Sequence, residues 1–369
     1  MAAFKFLHTA DVHLDAPFAL SDAAEAKEKR EELRKAFAEL VKTAADERCD
    51  AFLIAGDLFD DDAVTKDTAI LLADLFASVP ECTFVISPGN HDPYYPRSPY
   101  QLLPFPENVR IFSSKQLDFV DLPEKNARIY GCAFTEKTRT DPPLAGFHVD
   151  GQRQINLLCL HADFASPLSP YAPLSENDLA ASGLTYAALG HIHKASGLCT
   201  AGRTFYAYCG CPVGRGFDET GRKSAYLIET DGADVSVKAL YPAARRYETA
   251  AVDISGASCV RDAADRITAA CGAFDEKTAL RLILEGVTTP DFSADEAALR
   301  ALLPHPFFLD VRDETLPLWG AEKLENDATL VGRFYKQLRP ALASPDPRKR
   351  HIAGEALKYG LKALAGKEL

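Results

Sequence analysis

Five short segments carry side chains with metal-ligand chemistry: Asp11-Val12-His13, Gly56-Asp57, Gly89-Asn90-His91-Asp92, His161, and Gly190-His191-Ile192-His193. Imidazole nitrogens combined with carboxylate and amide oxygens, and no thiolate, suit manganese, iron, zinc and similar dications. The seven candidate ligands are Asp11, His13, Asp57, Asn90, His161, His191 and His193, too many for one ion and enough for two. One carboxylate can bridge, and Asp57, central in the order, is the choice. In an Asp-x-His loop both side chains can reach the same ion. His191 and His193 diverge if their backbone is extended, which suits one ligand for each ion. Glycines at 56, 89 and 190 permit the tight turns that such crowding needs. Singly, each segment has a plainer reading. Asp11-Val12-His13 could be a polar loop pair, Gly56-Asp57 a turn and His161 a satisfied core histidine. Their joint occurrence argues for a metal centre.

Each segment follows an apolar run that reads as a strand. These runs are FKFLHTA (4–10), AFLIAG (51–56), CTFVIS (82–87), INLLCLH (155–161) and YAALG (186–190), with further strands at ARIYGCAF (127–134) and SAYLIE (224–229). Leu33, Phe37, Leu40 and Val41 recur at helical spacing and predict a helix around 22–47; another is predicted over 65–79. This alternation predicts a largely parallel, helix-covered sheet. Ligands gather outside the carboxyl ends of strands in such sheets, so the spacing aims all seven side chains at one place. Pro-rich stretches at 93–106 and 140–143 read as loops. A boundary falls near Tyr241 to Arg246. Beyond it, strand 247–254, helix 258–271, strand 279–286, helix 293–302 and strand 306–311 form a small α+β module. A helix near 328–342, a hinge from Pro345 to Arg350 and a last helix near 351–365 complete the chain.

The 369 residues suggest two or three domains. No segment reaches the ~18 consecutive apolar residues of a membrane helix, and Met1 to Leu7 runs straight into a strand pattern, so neither membrane span nor signal peptide is expected. Nine scattered cysteines without a repeated CxxC pair argue against structural zinc. Cys132 and Cys159 sit in apolar runs and read as buried thiols, as do Cys209 and Cys211, whose spacing would strain a disulfide. A reducing cytoplasm is the expected location. The net charge of −12 argues against a surface coated for nucleic acid, yet the last 39 residues hold nine Lys or Arg against three Asp or Glu. Part of the acidity elsewhere is metal-ligand carboxylate, which bound dications offset. His8 reads as structural, and His148, His305 and His351 as surface or packing residues.

Asp-x-His, Gly-Asp, Gly-Asn-His-Asp, His and Gly-His-x-His, in this order, resemble the five signature motifs of the calcineurin-like metallophosphoesterases. The resemblance implies an α/β fold, a sandwich of two mixed β-sheets flanked by helices with a small α+β capping domain. It gives the first ion Asp11, His13, Asp57 and His193, and the second Asp57, Asn90, His161 and His191. His91 becomes a catalytic residue that meets the leaving group or transition state, with Asp92 orienting it. Two metals ~3.5–4 Å apart can clamp a phosphoryl oxygen for in-line attack, and general-acid help from His91 contributes ~10²–10⁴-fold.

Three features are similar to SbcD/YhaO-type DNA-repair exonuclease subunits. The first is the opening run from Phe6 to Asp15, continuing Leu14 to Phe18. The second is the loop from Cys209 to Glu219. The third is a layout of a catalytic domain over 1–240, a capping or DNA-recognition domain over 245–315 and a basic helical segment over 325–369. The resemblance implies a DNA exonuclease/endonuclease using two divalent ions, Mn2+ first, with Mg2+, Fe2+ or Zn2+ as alternatives. It makes Arg215 a substrate-binding residue, and implies DNA, an SbcC/YhaN-like coiled-coil ABC-type ATPase and a homodimer as partners. The C-terminal part is short for that layout, which leaves partner docking open. Its basic tail could bind phosphate backbones, dock a partner through Leu357, Leu361 and Leu364, or be a solvated helix. A small-substrate phosphodiesterase would share every ligand; a non-catalytic binding module would have lost some.

Overall fold

The computed structural model describes residues 3–18, 23–60, 64–164, 166–272, 274–289, 292–303, 306–317, 320–364 and 366. His305 and the first residue of the helix expected around 22–47 lie outside the described residues. The chain divides into two compact units, Met1–Arg215 with Gly221–Ala244, and Gly216–Thr220 with Arg245–Leu369.

The strands of the first unit are β1 (Phe4–Thr9), β2 (Ala51–Ile54), β3 (Thr83–Ile86), β4 (Val109–Ile111), β5 (Asp118–Leu122), β6 (Ala127–Gly131), β7 (Ile155–His161), β8 (Tyr186–Gly190), β9 (Cys199–Ala201), β10 (Thr204–Tyr208), β11 (Ala225–Thr230) and β12 (Val235–Leu240). They form two six-stranded sheets, ordered β12-β11-β1-β2-β3-β4 and β5-β6-β7-β8-β10-β9. In the first sheet β1 to β4 are parallel, and β11 and β12 join antiparallel. In the second, β6, β7, β8 and β10 are parallel, and the edges β5 and β9 are antiparallel. Both sheets are therefore mixed, as the resemblance implied.

Side-chain alternation along each strand explains the layering. Phe4, Phe6, Leu53 and Val85 point between the sheets, where they share a buried cluster with Ile129, Leu157, Cys159, Tyr186 and Ala188. The alternate residues Leu7, Phe52, Ile54, Phe84 and Ile86 pack outward against Leu33, Phe37 and Leu40 of helix Ala23–Asp46 and Leu72 and Phe76 of helix Lys66–Ala77. On the far side, Leu158, Leu160, Ala187 and Leu189 pack on Leu179 of helix Glu176–Ser182. Every residue of β7 is buried, so its centre, Leu157 to Leu160, is a continuous apolar run. Each fully buried Leu or Phe contributes about 1.5–3 kcal/mol of transfer free energy.

In the second unit the strands are β13 (Arg246–Asp253), β14 (Thr278–Glu285), β15 (Val287–Thr288), β16 (Phe308–Asp313) and β17 (Leu316–Pro317). β13, β14 and β16 make a parallel sheet, and β15 pairs with β17. Helices Val260–Cys271 and Glu296–Leu302 pack Ile267 and Leu299 on Val252, Leu280, Leu282 and Leu309. Helices Ala321–Asn326, Leu330–Leu342 and Pro347–Leu364 follow in the same unit. The segment from residue 325 on therefore does not stand apart from 245–315. The hinge expected from Pro345 to Arg350 is shorter, because Pro347 opens the last helix; proline is favoured at a first helical turn, where its missing N–H has no partner to lose. That helix packs against Leu330–Leu342 and Leu361 is buried, so the expected Leu357, Leu361 and Leu364 docking face is partly spent inside the protein. No helix among the described residues is long and apolar enough to cross a membrane.

Candidate metal centre

All seven ligands expected from the sequence lie at carboxyl ends of strands, three of them in the first sheet and two in the second. Asp11 and His13 follow β1, Asp57 follows β2, Asn90 follows β3, His161 ends β7, and His191 and His193 follow β8. The two loops after β1 and β2 are zipped by backbone bonds: Asp11 N–H to Gly56 O (3.0 Å), His13 N–H to Asp57 O (2.9 Å) and Leu14 N–H to Leu58 O (2.8 Å). The turns are tight. Asp11, His13, Asp57 and His191 all have positive φ, at 52°, 49°, 49° and 103°, at a cost of roughly 1–2 kcal/mol each for a left-handed non-glycine residue. Such strain clusters where function fixes geometry.

The donor atoms converge. Asp11, His13 and His193 offer atoms within 4.8 Å of one another, and so do Asp11, Asp57 and His161. His13 Nε2 is 3.3 Å from His193 Nε2, and His193 Nε2 is 3.6 Å from Asp11 Oδ1. Asp57 Oδ2 lies 3.8 Å from His13 Nε2 and 3.4 Å from His161 Nε2, between the two groups. Asn90 Oδ1 is 2.9 Å from His161 Nε2. The His191 ring sits 5.2 Å from that of His161, and its backbone N–H donates to both oxygens of Asp11 at 3.1 Å.

A cation pair fits this cluster on the chemistry of its donors. His161 Nδ1 lies 3.0 Å from the Ala55 carbonyl and donates to it, so the Nε2 lone pair faces the oxygens of Asn90 and Asp57. His13 Nδ1 likewise donates to Asp60 at 2.9 Å, turning its Nε2 lone pair toward Asp57 and His193. Fixing one ring nitrogen so that the other can ligate is the usual support for a metal-binding histidine. Burial lowers the pKa of His13 and His161, and burial, followed by the charge of His161, brings His191 to about 4. Neutral imidazoles and buried carboxylates thus point lone pairs at one another, an arrangement that cations between them would relieve. The space is also closed to side-chain growth: a Cβ on Gly56 would fall on the His161 ring, and one on Gly89 on the Asp57 carboxylate.

His91 lies at the rim. Its side chain is 49% exposed, and its Nδ1 is 3.0 Å from Asp60 Oδ1. That hydrogen bond raises its pKa, with burial opposing and the Asp57 charge assisting. Asp92 does not orient it, contrary to the expectation. The Asp92 carboxylate is fully buried and accepts from Gly89 N–H (2.7 Å), Phe59 N–H (3.0 Å) and the Tyr100 hydroxyl; it braces the loop that carries Asn90 and His91. Burial and the Asp57 charge push it up to about 7 against those hydrogen bonds. The residue missed from the sequence is Asp60, which touches both His13 and His91 through one oxygen. Burial raises its carboxyl, but the bonds from His13 and His91 prevail and hold it far below the ordinary range. Its only sequence signal is its place three residues after Asp57, inside an acidic run that reads as a solvated turn. Arg215, expected to bind substrate, stands beside these groups, with Nη1 3.8 Å from Asp60 Oδ1 and Nη2 3.4 Å from His193 Nδ1. His8 is structural: it is buried between Tyr186 Oη (3.0 Å) and Leu189 O (3.2 Å), and burial lowers its pKa to about 3. Cys209 and Cys211 are buried thiols, and Cys211 Sγ lies 3.7 Å from the His193 carbonyl.

Comparison with known proteins agrees with this geometry. The sequence pattern of the family described as calcineurin-like phosphoesterase matches residues 4–195. The uncharacterized metallophosphoesterase YhaO of Bacillus subtilis (strain 168) is 29% identical over 344 residues, covering 88% of this chain and 83% of that protein. With its ligand set on five strand ends of a two-sheet sandwich, the chain belongs to the calcineurin-like phosphoesterase family and is a metal-dependent phosphoester hydrolase.

Proposed function

We propose that the chain is a manganese-dependent DNA exonuclease/endonuclease of DNA repair that acts with an ABC-type coiled-coil ATPase. One observation carries the preference for a polymer over a small ester. The ligands Asp11, His13, Asp57 and His161 are buried, while the reacting edge is open, with the side chains of His91 and His193 49% and 26% exposed. An open rim beside a buried ligand cluster admits a phosphodiester in mid-chain. The opening run Phe6 to Phe18 and the loop Cys209 to Glu219 support the same reading.

Asp11, His13, Asp57 and His193 would hold one ion, and Asp57, Asn90, His161 and His191 the other. Bound there, the pair supplies Lewis acidity toward a phosphoryl oxygen and a water acidified toward neutral pH. The chain's own residues do the rest. His91, tethered at Nδ1 by Asp60, keeps a proton at Nε2 for the departing oxygen. Arg215 adds a positive charge beside the site for substrate phosphate. Purified full-length chain with Mn2+ is expected to degrade linear DNA, alone or with a coiled-coil ATPase. Hydrolysis of a simple phosphodiester with DNA left intact in both settings would refute the nuclease reading and leave the phosphoesterase standing.

A further inference from the structure

Asp15 occupies a backbone position that favours glycine. Its φ is 62°, two residues after His13 at 49° and four after Asp11 at 52°. A non-glycine residue is retained in the left-handed region when its side chain is used. Here three donors converge on the carboxylate. Oδ1 accepts from Arg34 Nη2 at 2.7 Å and from the Thr68 hydroxyl at 2.9 Å; Oδ2 accepts from the Thr65 backbone N–H at 2.7 Å. Arg34 also donates to the hydroxyls of Thr68 (2.8 Å) and Thr65 (3.0 Å). Thr65 caps helix Lys66–Ala77 through its hydroxyl, Arg34 belongs to helix Ala23–Asp46, and Thr68 is fully buried.

This network lies outside the ligand set but anchors one end of the loop that carries Asp11 and His13. At the other end the loop continues from β1. Between these points the bonds to Gly56, Asp57 and Leu58 hold it against the second ligand loop. A segment that alternates left-handed residues relaxes toward ordinary φ when an end is released, and a small rotation at residue 15 swings the His13 ring. We infer that Asp15 is a positioning residue for the first metal site, holding His13 and Asp11 in register through its clamp on Arg34, Thr65 and Thr68.

The inference rests on the two-ion reading of the centre and not on DNA as substrate, so its test uses Mn2+ and a small phosphodiester. In D15G the backbone gains the residue its φ favours and the clamp is lost. Mn2+ affinity of the full chain, read by calorimetry or by the free-Mn2+ electron paramagnetic resonance signal, is expected to fall about 10–100-fold, as for other residues that orient metal ligands. The maximal rate at saturating Mn2+ should stay within a few-fold, because no reacting group has changed. T68V removes one donor with little change of shape; it should weaken affinity by a smaller factor and add nothing further in D15G. Wild-type Mn2+ affinity in D15G overturns the inference. Should D15G not fold, unchanged affinity in T68V overturns it. A wild-type chain that binds no Mn2+ would instead remove the metal reading beneath it.

Discussion

The two halves of the metal centre each combine two histidines with one oxygen donor of their own, Asp11 or Asn90, but are braced differently. In the half holding Asp11, His13 and His193, the supporting acceptor is a side chain: Asp60 takes the Nδ1 proton of His13 and also touches His91. In the half holding Asn90, His161 and His191, the supporting acceptor is the backbone carbonyl of Ala55 beside β2, at 3.0 Å from His161. A backbone acceptor cannot be lost by substitution, whereas Asp60 can. The first half is therefore adjustable and coupled to the rim histidine; the second is built into the sandwich. Asp57, within 3.8 Å of His13 and 3.4 Å of His161, belongs to both.

That asymmetry orders the effects of substitution. D57A removes the shared carboxylate, so both ions and all phosphodiester hydrolysis should be lost; elemental analysis that still finds two metals would deny the bridge. H91A leaves every ligand in place, so metal content should persist while the rate falls about 10²–10⁴-fold, measured at saturating Mn2+. D60N should cost about 10–100-fold in rate, with weaker binding at the first half alone. Equal weakening of both halves in a metal titration would erase the distinction between them. The smallest effect on chemistry is expected for D92N. Its carboxyl braces the loop without touching His91, so activity should change less than in D60N, while the loss of one acceptor for buried donors costs about 1–3 kcal/mol of stability in denaturant unfolding.

The same contrast shows what the sequence made visible. β1, β2, β3, β7 and β8 are buried on both faces, so they stand out as apolar runs, and each ends on its ligand within a few residues. Edge strands did not stand out. β5 (DFVDL) has no buried residue and β12 (VSVKAL) has none either, because an edge needs neither continuous apolarity nor strict alternation. β13 was legible although only Val252 in it is buried, since its neighbours alternate strand and helix so regularly. Asp60 and Asp92 show the limit for the site. Both are aspartates near the Gly-Asn-His-Asp segment in space, and adjacency in the chain favoured Asp92 as the partner of His91. The fold turns Asp92 inward onto Tyr100 and brings Asp60 across from the neighbouring loop. A contact between loops of different strands leaves no local pattern to read, and neither does the Arg34–Asp15 clamp, which joins the loop after β1 to the middle of helix Ala23–Asp46.

The dinuclear centre is tested most directly by diffraction from Mn2+-soaked crystals of the full chain, recorded on both sides of the manganese absorption edge. Two anomalous peaks are expected, one on each side of the Asp57 carboxylate, with His13 and His193 at the first and Asn90, His161 and His191 at the second. A single peak, or peaks remote from Asp57, would contradict it.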